Sequence, residues 1–274
     1  MANVGRWLYP RAGAASDPDP QQPFVFDDGS TKSLFFSLDQ LQSRMNKQQP
    51  DALEVDYTKT MMAFLLLAPA PRQLAMIGLG GGSLVRFCHR HLPHSRMTVA
   101  EINPAVIALR DEFLIPPDSD RLKVLLADGA DFVGACAGTL DVLLVDGFDH
   151  DGQAPQLCTQ AFYDDCRRAL NPQGVLVVNL HHDHPEHALY MSRIQRSFGA
   201  GVFELAPMGA AGEDTVNPIK EVDWMRRLSA KIGRPVTFAL IQVDSAPGLW
   251  KELMDASLAA ADEGADIWPQ VAGR

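Results

Sequence analysis

The chain has 274 residues, 46% of them hydrophobic and 21% charged, and sets 24 Lys+Arg against 34 Asp+Glu for a net charge of −10. At about 150 residues per domain this is one large domain, or one domain with a small appendage, and core material is ample. The acidic balance argues against a phosphate-tracking nucleic-acid binder, which carries a basic footprint, and it suits cationic ligands.

Residues 10–23 are rich in Pro, Asp, Ala and Gln, and 1–23 are expected to form a flexible arm. Phe24-Val25-Phe26 and Leu34-Phe35-Phe36 flank Asp27-Asp28-Gly29-Ser30, a hairpin with Asp-Gly at its turn. Pro50-Asp51 opens a predicted helix carrying Leu53, Tyr57, Met61 and Phe64 on one face. Residues 24–70 thus read as a small β-plus-helix piece ahead of a larger domain over 71–274.

From residue 73 the pattern alternates between strand and helix. Short apolar strands are predicted at 74–77, 97–100, 124–126, 142–145 and 175–178, with helices over 84–91, from Pro104 to Phe113, and over 162–170. Runs this apolar suit a parallel sheet covered on both faces, and the β/α alternation predicts a doubly wound fold. Further strands are predicted at 202–205 and 238–241. Cys88, Cys136, Cys158 and Cys166 show no CxxC spacing, so single thiols in a reducing compartment are expected. The apolar run 61–68 is too short to cross a bilayer, and residues 1–20 lack the features of a secretory signal. A cytoplasmic protein with no membrane partner is the expectation.

In an open α/β sheet the ligand lies beyond the carboxyl ends of the strands. The first strand is followed by Gly78-Leu79-Gly80-Gly81-Gly82, the second by Glu101, the third by Asp128-Gly129 and the fourth by Asp146-Gly147-Phe148-Asp149. Glycines let the backbone approach a ligand at a helix N-terminus, and an acid about 20 residues on can grip both ribose hydroxyls. Asp128 could accept from an adenine amino group. A nicotinamide dinucleotide site is the weaker alternative: Ser83 stands where its third glycine belongs, and Asp128, Asp146 and Asp149 have no role in it.

These residues resemble the spermidine synthase (polyamine aminopropyltransferase) family, a branch of the class I AdoMet-dependent transferases. The likeness runs from the hairpin to about residue 180. It rests on Tyr57, the glycines 78–82, Glu101-Ile102-Asn103-Pro104, Asp128-Gly129, and above all Asp146-Gly147-Phe148-Asp149 with the helix after it. The resemblance implies a seven-stranded AdoMet-methyltransferase-like sheet with a small N-terminal β domain. It implies that Gly78, Gly80, Gly81, Glu101, Asp128 and Gly129 bind the adenosyl co-substrate. Asp146 would be the general base, and Asp149 and Tyr57 would hold the amine. No tightly bound cofactor is implied. The partners would be decarboxylated AdoMet or AdoMet and an amine acceptor, with a homodimer possible.

The sequence departs from the family pattern at three places. Gly81 replaces the motif acid that meets the free ammonium of decarboxylated AdoMet. Thr58 and Lys59 follow the helix tyrosine in place of His or Gln and then Glu. The late Tyr-containing loop has no recognisable counterpart around 207–217. Loss of the acid at Gly81 keeps an AdoMet methyltransferase open, and a catalytically silent adenosyl-binding protein stays open beside it. The run His181-His182-Asp183-His184-Pro185-Glu186-His187 has two histidines three apart, but a polar loop after the fifth strand explains it better than a metal site.

Overall fold

The computed structural model describes residues 6–8, 22–37, 40–149, 152–180, 186–199, 203–205, 218–240 and 247–271. The chain separates into two compact units, Met1–His187 and Ala188–Arg274.

The first unit begins with a four-stranded antiparallel sheet, β1 (Arg6–Leu8), β2 (Phe24–Asp27), β3 (Thr31–Ser37) and β4 (Gln40–Asn46), in sequential order. The expected hairpin is its centre, extended on one side by three residues of the N-terminal segment and on the other by β4. Asp28 sets the turn: its carboxylate accepts from the Ser30 and Thr31 amides at 2.8 and 2.7 Å, holding its pKa well below the usual carboxylate range. Val25, Leu34 and Met45 turn one face of this sheet inward.

The next helix, α1 (Asp56–Met61), starts six residues after Pro50 and continues as a 3₁₀ turn over Met62–Leu66. The Pro50 carbonyl accepts from Arg86 Nε at 2.6 Å, and Val55 adopts an extended conformation.

The doubly wound part follows: β5 (Gln73–Ile77), α2 (Ser83–His91), β6 (Arg96–Glu101), α3 (Pro104–Ile107), β7 (Leu122–Leu126), α4 (Gly129–Gly134), β8 (Leu140–Val145), a two-residue ribbon of β9 (Phe148–Asp149) and β10 (Gly152–Gln153), α5 (Gln160–Ala169) and β11 (Leu170–Val178). The main sheet is parallel, in the order β11-β8-β5-β6-β7. β5 and β8 are central because they are apolar on both faces: Leu74 to Ile77 and Val142 to Val145 are buried without a break. Strand order reverses between them, so the crevice at their carboxyl ends is where this fold opens a ligand site. α3 is one short turn, not the helix to Phe113 expected from periodicity. Beyond Ile107 the chain passes through turns, the Phe113 carbonyl accepts from Arg86, and Leu114 follows at a φ of 52°.

Among the described residues the main sheet has five strands, against seven expected. The later strands form a separate parallel sheet in the second unit: β12 (Phe203–Leu205), β13 (Val236–Leu240) and β14 (Ile267–Val271), β13 in the middle. α6 (His187–Phe198) leads into this unit, and α7 (Pro218–Ile232) and α8 (Leu249–Asp262) pack on each other. Met225, Leu228, Phe238 and Leu253 are buried in it. β14 was among the elements not expected: its Trp-Pro-Gln centre lacks the apolar run that marks β12 and β13.

Candidate active site

The carboxyl ends of β5 to β8 bring the sequence candidates together. Asp146 follows β8 and its amide donates to the Ile77 carbonyl at 2.9 Å. Gly78 lies directly opposite. With φ at 87°, a β-carbon there would stand 2.2 Å from the Asp146 carbonyl oxygen, so only glycine lets the two strand ends come this close. Gly80, at φ 49°, faces open space with nothing within 4 Å of where a β-carbon would stand.

Glu101 is 7% exposed. Its Oε2 accepts from the Leu79 amide at 2.8 Å and its Oε1 from the Asn103 amide at 2.7 Å. Burial raises its pKa, and these amides partly offset the rise. The residue expected to hold a ribose therefore also fixes the glycine loop that precedes α2. Asp128 caps α4, accepting from the Ala130 amide at 2.7 Å, and its other oxygen accepts from Gln156 Nε2 at 3.1 Å. Gly129 is buried against Ile77, whose Cγ2 would be 2.3 Å from an added β-carbon.

Tyr57 reaches Asp146 from α1. Its Oη donates to Asp146 Oδ2 at 3.1 Å, and Asn179 Nδ2, at the end of β11, donates to Oδ1 at 2.9 Å. Desolvation raises the Asp146 pKa, and the two donors pull against that rise. Burial, followed by the Asp146 charge, pushes the Tyr57 phenol well above its ordinary value, so Tyr57 stays a donor. The result is an acid that is costly to ionise yet supplied with two hydrogen bonds that favour its anion.

Asn179 and Gln156 were not anticipated. Both had a signal: Asn179 directly follows the fifth strand, a position equivalent to Glu101 and Asp146, and Gln156 opens the segment after the Asp-x-x-Asp loop. Gln153 supports Asn179, donating from Nε2 to its carbonyl at 3.1 Å.

Lys59 is not in the crevice. It is exposed on α1 and paired with Asp56 at 2.6 Å, so it places no cation against Asp146. Thr58 is buried, with its hydroxyl on the Val55 carbonyl. Gly81 is closed off: a β-carbon would lie 2.6 Å from Ser43 Oγ and 3.2 Å from Phe113 Cδ1. Ser43 comes from β4 and is buried, 3.1 Å from the Ser83 hydroxyl.

Asp149 ends β9, which pairs antiparallel with β10. Residues 181–185 of the histidine run and the segment 207–217 lie outside the described residues. Among the described residues no group of His, Cys, Asp and Glu is placed to hold a metal ion, and no helix is long and apolar enough to cross a membrane.

The doubly wound sheet with its ligand crevice at the β5–β8 switch point is that of the AdoMet-dependent transferases. Residues 54–210 match the model of the spermine/spermidine synthase domain. A polyamine aminopropyltransferase of Chromobacterium violaceum is 37% identical over 182 residues, 66% of this chain and 70% of the relative. The chain belongs to the spermine/spermidine synthase family. Over 130 residues, 42% of this chain and 18% of the relative, it is also 35% identical to the human eEF1A lysine and N-terminal methyltransferase. The fold is similar to the crystal structure of a probable spermidine synthase from Corynebacterium glutamicum, with a TM-score of 0.58 and 21% identity over 70% of this chain and 72% of that one.

Proposed function

We propose that this protein transfers an alkyl group from an adenosyl sulfonium to an amine, with Asp146 as the general base. In the family's reaction the group is the aminopropyl of decarboxylated AdoMet and the acceptor is a polyamine or related amine. The observation that carries the reading is the Asp146 carboxyl, desolvated at a strand end and held between Tyr57 and Asn179.

An ammonium cannot attack carbon until it loses a proton. Asp146 attracts the cation and, with its pKa raised, accepts that proton. The freed nitrogen lone pair then forms the N–C bond as the C–S bond breaks, and the electron pair stays on sulfur as a neutral thioether. Positive charge on the sulfonium disappears, so alignment of amine, carbon and sulfur matters more than stabilising a new charge. In this reading Glu101 holds the ribose, Asp128 meets the adenine edge, the loop through Gly78, Gly80 and Gly81 lets the nucleoside approach, and Tyr57 and Asp149 help to hold the amine.

One observation favours a second reading, methyl transfer from AdoMet. The position where the family carries its ammonium-binding acid is Gly81, and Ser43 fills the space that side chain would need. The methyltransferase relative is consistent with it. The two are separated by mass-spectrometric identification of the nucleoside product with each donor and a panel of amines: methylthioadenosine marks aminopropyl transfer and S-adenosylhomocysteine marks methyl transfer.

A further inference from the structure

Arg86 lies in the first turns of α2, beneath the glycine loop, and is 2% exposed. Helical side chains lean toward the preceding turn, which directs this one back under residues 78–82. Its guanidinium donates to three carbonyls from three separate segments: Nη1 to Gly81 and, at 2.8 Å, to Phe113, and Nε to Pro50 at 2.6 Å. Nη2 is buried and has no hydrogen-bond partner among the described residues. No carboxylate forms an ion pair with it among the described residues. Asp51 acts on it only through its field, and desolvation lowers its pKa to about 10.

A buried cation without a paired anion is costly, and an apolar side chain of similar volume would commonly fill such a space at less cost. What an apolar residue could not do is fix the Gly81 peptide. That peptide is gripped from one side by Arg86 and faces Ser43 of β4 on the other. Its neighbours Gly80 and Gly82, at φ 49° and 70°, have little intrinsic preference for the conformation they adopt. Glu101 fixes the start of the loop, at the Leu79 and Gly80 amides, and does not reach the Gly81 peptide.

We infer that Arg86 is a positioning residue that holds the glycine loop in its ligand-ready form and ties the loop to the N-terminal β-plus-helix piece. The inference rests on the reading that this loop receives the adenosyl ligand, and it applies whichever alkyl group is moved. It predicts that nucleoside affinity depends on a residue that touches no nucleoside.

The test compares Arg86→Lys and Arg86→Met with a control, Arg121→Lys. Arg121 braces the opposite end of the same helix, with Nη2 on the carbonyls of His89 and Leu92 at 2.8 and 3.1 Å, and so reports a purely structural staple. Two quantities are read: hydrogen exchange of the amides of residues 79–83 in the ligand-free protein, and the Kd for S-adenosylhomocysteine and methylthioadenosine. Losing one charge-assisted hydrogen bond corresponds to roughly a tenfold effect. Arg86→Lys is expected to speed loop exchange and weaken the nucleoside by about that factor, and Arg86→Met by more. Arg121→Lys should lower the melting temperature while leaving both quantities at wild-type values. A folded Arg86→Lys with wild-type loop exchange and wild-type Kd overturns the inference, whether or not Arg86→Met folds. A wild-type protein that binds neither nucleoside defeats the adenosyl reading instead, and loop exchange then still decides whether Arg86 holds the loop.

Discussion

Asp146 is the residue on which most depends. Replacing it with Asn keeps the shape and removes the base, so turnover should fall by about 10²–10⁴ while nucleoside Kd changes little. Steady-state kinetics beside calorimetry checks both halves, and unchanged turnover would remove Asp146 from the mechanism. Tyr57→Phe deletes a hydrogen bond that favours the Asp146 anion. The Asp146 pKa should then rise further, and the acid limb of the pH–rate profile should move to higher pH; an unmoved limb would mean the contact does not act on the base. The strand-end acids could be found from sequence because each ends an apolar run. Asn179 could not be found by looking for charge, since it is neutral and acts through its amide on Asp146. Lys59 departs from the family pattern without disturbing the site: a charge three residues from Asp56 on one helix face is satisfied locally, which spacing along α1 could have foretold.

The glycine loop combines two kinds of constraint that the sequence presents as one motif. Gly78 is required by backbone: Gly78→Ala places a methyl group against a carbonyl that cannot move, at a positive φ, and should cost about 3 kcal/mol or more in denaturant unfolding. Gly81 is constrained instead by a neighbouring side chain. Gly81→Asp should destabilise by about 1–3 kcal/mol through overpacking against Ser43, and Ser43→Gly in the same chain should recover much of that loss. If Gly81→Asp alone proves as stable as wild type, the space is not closed and the donor argument built on it fails. The strands of the main sheet were readable because each contains a short apolar run, buried on both faces in β5 and β8. The ends of α1 and α3 were not: Val55 is extended just before α1, and after Ile107 the chain passes through turns of mixed hydrogen bonding to Leu114 at a φ of 52°, and apolar periodicity registers neither.

Across the whole chain, sequence pattern captured the α/β class and the family but merged two sheets into one. Runs at 202–205 and 238–241 look like further strands of a single sheet; only pairing with Ile267–Val271 reveals a sheet of their own. The site also marks the stability of the molecule. Asp146 has a folded pKa raised above 3.8, so between those values the folded state holds more protons than the unfolded one, and stability falls as pH rises through that window. Asp146→Asn lacks this penalty. Its unfolding free energy should therefore gain on wild type as pH rises above about 3.8, and parallel curves would mean the carboxyl ionises freely in the folded protein. The most direct test remains the product of the reaction. Purified protein and Asp146→Asn are incubated with decarboxylated AdoMet or AdoMet and a panel of di- and triamines, and the nucleosides are identified by mass spectrometry. Alkyl transfer predicts an amine-dependent product, methylthioadenosine for the family's reaction, that disappears with Asp146→Asn. Neither nucleoside product from a protein that binds adenosyl ligands, or undiminished product from Asp146→Asn, would contradict it.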